Sequence, residues 1–193
     1  MCDAGWLGAC SRPNSGVDAD MPIDCAVASC PRLRHFIVAY GDPGLHEHNL
    51  GSMFKLSAET HAREIRTGKA PGAVPALQPT DVLTVAHIGT VSDLANQLNV
   101  NNVVYLAYFG HSWNSGGLGA LLIGEQTAPD TNLTNIAGPN NTAVAALRPS
   151  AFRTEAIIQL FGCRGAHGTN SIAEQMATRL HLRYPVMTMR EVL

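Results

Sequence analysis

A chain of 193 residues with 46% hydrophobic and 15% charged side chains is long enough to bury one good core, and its length favours one globular unit over two. A formal net charge of −2, with no Lys/Arg cluster along the chain, excludes the electrostatic footprint of a polyanion binder, so no nucleic-acid partner is expected. No apolar run approaches the roughly 20 residues of a membrane-spanning helix, and the N-terminus lacks the basic-then-apolar order of a signal peptide, so the chain reads as soluble with no membrane partner.

The cysteines are uneven. Cys2, Cys10, Cys25 and Cys30 crowd the N-terminus, while Cys163 stands alone. Two disulfides or a metal site are both open to the N-terminal four, although their spacing fits no familiar zinc pattern. Residues 1–32 are therefore read as a poorly ordered, cysteine-bearing leader and residues 33–193 as the folded domain.

Beyond the leader, strand and helix patterns alternate. LRHFIVAY (33–40) is apolar and rich in β-branched and aromatic residues, and it closes at the turn GDPG. From Ser52 to Arg66, Phe54, Ala58, Ala62 and Ile65 recur at helical spacing, with Glu59, Arg63 and Glu64 on the opposite face. After a Pro/Gly-rich loop (70–79), DVLTVAHI (81–88) reads as a strand. Thr90 and Asp93 then have the spacing of a capping box, opening a helix with Val91, Leu94, Ala95 and Leu98 on one face.

NVVYLAYFG (102–110) is apolar at nearly every position, as a central parallel strand covered on both faces must be. It delivers His111. GLGALLIG (117–124) fits a small hairpin or an added strand, and 126–149 reads as loop with one short helix near Thr142–Leu147. EAIIQLFG (155–162) is the fourth strand and delivers Cys163; Ser171 and Glu174 suggest a second capping box, before Ala173, Met176, Ala177 and Leu180; RYPVMTM (183–189) completes the series. The order predicts an α/β three-layer sandwich with a mainly parallel central sheet.

In open parallel sheets, reactive groups collect at the carboxyl ends of the strands. His111 and Cys163 both stand there. A thiol attacks as its thiolate, and an imidazole nearby can take its proton, so the two make a workable nucleophile–base pair. Gly162 and Gly165 leave the backbone around the sulfur open to a substrate, and the amides of Cys163 and of Ser112 or Gly110 are candidate donors to an oxyanion.

This arrangement resembles the caspase-like cysteine peptidases, including the bacterial CHAT-type domains. The likeness rests on a strand delivering a histidine, a small hairpin (ALLIGE) after it, and roughly 50 residues later a second strand delivering Cys163-Arg164-Gly165, the last three residues of the caspase signature. It covers about residues 33–189 as an order of elements. It implies a caspase-like fold and a peptidase with Cys163 as nucleophile, His111 as general base and acid, and an oxyanion site built on the backbone at Ser112, Gly162 and Cys163. Asp42, Glu47, Trp113, Phe161 and Arg164 would lie toward the substrate.

The likeness further implies a protein or peptide substrate, a place within a secreted bacterial effector or toxin, and a cognate inhibitor or immunity protein in the producing cell. Two positions depart from the pattern. Ser112 stands where the family has glycine, and Phe161 stands where caspases carry glutamine, so aspartate specificity does not transfer. No cofactor or metal is expected. Cys163, His167 and His111 lack a fourth zinc ligand, His46-Glu47-His48 reads as a solvated loop, and the glycines of GLGALLIG lack the register of a nucleotide cradle. The competing readings are a non-catalytic interaction module on the same scaffold and a flavodoxin-like small-ligand-binding domain.

Overall fold

The computed structural model describes residues 33–42, 51–115, 118–124, 130–134, 141–162, 165–166, 168 and 170–188. The chain divides into two units between Arg32 and Leu33, and the described residues all belong to the second. In chain order its elements are β1 (His35–Tyr40), α1 (Gly51–Thr67), β2 (Val82–His87), α2 (Val91–Gln97), β3 (Val103–Phe109), β4 (His111–Ser115), β5 (Leu118–Leu122), β6 (Asn132–Thr134), β7 (Asn141–Ala143), β8 (Phe152–Phe161), α3 (Ile172–Arg179) and β9 (Met187–Thr188).

The central sheet has the order β2-β1-β3-β8-β9, and every pairing in it is parallel. Alternation along β1 shows how both faces are covered. Phe36 and Val38 pack with Ala58, Ala62 and Ile65 of α1, whereas Ile37 and Ala39 join Leu94 of α2 and Ile172 and Met176 of α3. The result is the α/β three-layer sandwich expected from the sequence. Each fully buried aliphatic side chain contributes about 1.5–3 kcal/mol to such a core. Every residue of β3 is buried, as its unbroken apolar run requires.

The Thr90 capping box forms in full: its hydroxyl accepts from the Asp93 amide, and the Asp93 carboxylate accepts from the Thr90 amide. At α3 only half of the expected box forms. Ser171 accepts from the Glu174 amide at 3.2 Å, but the Glu174 carboxylate reaches back to the amide of Asn170 instead. Ala95, expected on the inward face of α2, is exposed.

Other expectations need correction. The segment 126–149, expected to be loop, supplies β6 and β7, which extend a second sheet of order β4-β5-β6-β7. Neither strand has an apolar run. They are held by pairing and by Asp130, which accepts from the Ser92 amide and hydroxyl and from the Thr142 hydroxyl. The short helix expected near Thr142–Leu147 is a single 3-10 turn, Val144–Ala146. β8 begins at Phe152, three residues before the expected start. Where a strand was expected over 183–189, of which Met189 lies outside the described residues, β9 among the described residues is Met187–Thr188, and there it pairs with β8 at Gln159 and Leu160. Finally, His111 opens a new strand rather than closing β3, because Gly110 breaks the run and β4 turns into an antiparallel hairpin with β5.

That hairpin is fastened to the carboxyl edge of the central sheet. The Tyr108 hydroxyl donates to the carbonyl of Leu122 at 2.6 Å, and the Asp42 amide donates to the carbonyl of Ile123 at 2.8 Å. Among the described residues no helix is long and apolar enough to cross a membrane.

Candidate functional site

β3 and β8 are immediate neighbours, with Phe109 opposite Phe161, so they end level with one another. The next amide, that of Gly110, donates to the Phe161 carbonyl at 3.3 Å. This bond engages one of the two amides considered beside the histidine as oxyanion donors. Ser112 is buried close to Gly162 at the end of β8. A β-carbon on Gly162 would stand 2.9 Å from the Ser112 hydroxyl and closer still to the carbonyl of Gly110, and one on Gly165 would stand 3.3 Å from the same hydroxyl. The two glycines that bracket residues 163 and 164 in the chain thus both pack against the residue after His111. Cys163 and Arg164 themselves lie outside the described residues, as do Glu47, His46, His48, His167 and the four N-terminal cysteines.

His111 is half-buried, and its ring meets that of Phe54 edge-on, with centroids 5.0 Å apart and planes at 85°. Phe54 belongs to the first turn of α1, so this helix both covers the sheet and braces the histidine. The helical spacing marked Phe54 only as core. Trp113 is half-buried in β4 opposite Ala120, and strand alternation sets it on the same side as His111.

Asp42, expected to face a substrate, already holds a partner. The register Tyr40↔His87 carries two strands to the same edge, where His87 Nε2 lies 2.7 Å from Asp42 Oδ1. The Tyr40 ring lies 5.2 Å from that of His87. Sequence reasoning missed His87, although its place as the last polar residue of an expected strand was the available signal. Burial, and secondarily the Asp42 charge, push the Tyr108 phenol well above its ordinary range, so it stays a neutral donor to the hairpin.

Phe161 is also committed to packing. It stacks on Phe109 at 4.2 Å and 4°, and it lies 5.1 Å from the ring of the buried His61. Burial lowers the His61 pKa, only partly opposed by the Glu64 charge, so this imidazole is held toward neutrality. On the other side of the site, the Ala173 amide in the first turn of α3 donates to the Gly165 carbonyl at 3.1 Å, which ties the segment after Gly162 to that helix.

Among the described residues no three His, Cys, Asp or Glu side chains are grouped to hold a metal ion. No protein-family model, no curated protein and no solved structure matches this chain.

Proposed function

We propose that the chain is a caspase-like cysteine endopeptidase acting through a His111–Cys163 pair. The observation that supports this most is the adjacency of β3 and β8, with Ser112 packed against Gly162 and Gly165, since the chain segments bearing the two reactive residues then leave one edge of the sheet together. In the reaction, the Cys163 thiolate bonds to the scissile carbonyl carbon. The C–N bond breaks, and imidazolium His111 gives its proton to the departing amine. Water then attacks the thioester, His111 takes up the proton released, and the C–S bond breaks to give the acid product and the thiolate beside imidazolium again.

The backbone of Cys163 would supply one donor to the oxyanion and that of Ser112 another. The substrate is a protein or peptide, no cofactor takes part, and the setting we infer is a bacterial effector polypeptide with a cognate inhibitor in the producing cell. The test is incubation of wild-type and Cys163→Ala protein with a peptide library. Cleavage by the wild type alone is expected. Cleavage that survives in the variant rejects the mechanism, and no cleavage by either, with a slow thiol indifferent to His111→Ala, leaves an interaction module or a small-ligand-binding domain.

A further inference from the structure

A cavity of about 310 Å³ opens between the loop at Pro71 and Gly72 and the ends of β8 and β9, where Gln159, Phe161, Met187 and Thr188 line it. Its lining is mostly apolar, and it includes one buried polar side chain. Gln159 is only 7% exposed, and its Oε1 accepts from the Tyr105 hydroxyl at 2.5 Å. The same hydroxyl lies 2.6 Å from His61 Nε2. Burial keeps the phenol protonated and lowers the pKa of the imidazole.

A single phenol proton cannot serve both neighbours. With that proton given to Gln159, His61 donates Nε2–H to the Tyr105 oxygen, and the chain of bonds runs in one direction. It fixes the carboxamide with its oxygen on Tyr105 and its nitrogen toward Gly72. That Nε2 has no hydrogen-bond partner among the described residues. It stands 2.5 Å from where a β-carbon on Gly72 would be, and Gly72 has φ +84°, so a backbone conformation suited to glycine leaves room for the amide.

We infer that this cavity receives an uncharged carboxamide side chain, that of a glutamine or asparagine in a peptide, with Gln159 Nε2 donating to its carbonyl. Among the described residues lining the cavity none is charged, so none of them offers a counter-ion to an acidic or basic side chain. An aliphatic side chain would cover the Gln159 amide and leave it unsatisfied. A carboxamide meets both conditions, and Thr188 brings a hydroxyl able to accept from its nitrogen. The cavity adjoins the candidate site, because a β-carbon on Gly165 would lie 3.2 Å from Thr188 Cγ2 and 3.3 Å from the Ser112 hydroxyl. This inference rests on the peptidase reading only for its consequence, which is selection of the residue beside the scissile bond.

The test separates the two. Full-length Cys163→Ala protein is titrated with four matched peptides carrying Gln, Asn, Glu or Leu at one position, and the Gln159 side-chain amide is followed by ¹⁵N NMR. The expected result is at least fivefold tighter binding of the Gln or Asn peptide than of the Glu and Leu peptides, with a shift of the Gln159 amide resonance. The preference should vanish in Gln159→Met and weaken in Thr188→Val, with folding of each verified by its amide spectrum. Equal affinities for the four peptides, or a preference that persists in Gln159→Met, overturns the assignment. Carboxamide preference in binding without cleavage by the wild type retains the pocket and rejects the peptidase, whereas cleavage with no such preference does the reverse.

Discussion

The Ser112 hydroxyl lies 2.9 Å from the position a β-carbon would take on Gly162, and the Gly110 carbonyl lies nearer still. Glycine at 162 is therefore a steric requirement of the β3–β8 edge. Gly162→Ala should destabilise the protein by about 1–3 kcal/mol, because rigid backbone on one side leaves only Ser112 free to give. Urea denaturation measures it, and the double variant Gly162→Ala/Ser112→Gly should recover part of the loss.

The proposed catalytic pair predicts a difference in thiol reactivity along the chain. Under iodoacetamide, with labelled sites read by peptide mapping, Cys163 should react faster than Cys2, Cys10, Cys25 and Cys30 near neutral pH, since a paired thiolate is the nucleophile. His111→Ala should slow Cys163 at least tenfold and leave the other four unchanged. Phe54→Ala should produce a smaller slowing, because it removes only the edge-on ring that braces His111.

The buried set His61–Tyr105–Gln159 predicts a pH effect with a definite sign. In the unfolded chain His61 titrates near its ordinary 6.5, and in the folded chain burial sets it lower. Between those values the unfolded state binds more protons, so stability rises with pH there. The contribution is complete above about pH 6.5 and is lost as the pH falls through the depressed value. His61→Gln, which keeps a donor but cannot titrate, should flatten the pH dependence of the urea midpoint over this window. Tyr105→Phe should cost about 1–3 kcal/mol by stranding two buried polar groups.

A second carboxylate ties β2 to the chain entering β1. Arg34 donates Nε to Asp81 Oδ1 at 2.9 Å and a terminal nitrogen to Asp81 Oδ2 at 2.5 Å, and Asp81 also accepts from the Gln78 amide at 2.6 Å. The hydrogen bonds from Arg34 hold the Asp81 carboxyl below its ordinary 3.8, against the opposing effect of burial. The stability it contributes is present above pH 3.8 and lost as the pH falls through the lower folded value. Asp81→Asn should cost about 1 kcal/mol at neutral pH, since Arg34 remains partly solvated, and it should remove this acid-sensitive step from the unfolding curve.

The main elements were legible because each carries its own periodicity. β3 announces itself by an unbroken apolar run, and α2 by a capping pair whose bonds all form locally. β6 and β7 were not legible, since three-residue strands exist only through the partners they pair with. The same holds in the candidate site. That the strands before His111 and Cys163 end at the carboxyl edge of a parallel sheet was legible, whereas Asp42 with His87, and His61 with Gln159 through Tyr105, are meetings set by sheet register between residues far apart in the chain. A histidine on a helix gives no sign of burial until the sheet beneath it is known.

β9 covers β8 only at Gln159 and Leu160, so among the described residues the flank of β8 from Arg153 to Ile158 meets no strand. An open flank of this kind is a template on which a second molecule can polymerise. Exposed Arg153 and Glu155, paired at 2.5 Å, sit on that stretch, and the Arg183 amide takes up the Thr154 carbonyl at 2.8 Å. Charge and a borrowed donor thus stand along the margin of the sheet, two of the devices by which open strands resist pairing with another copy.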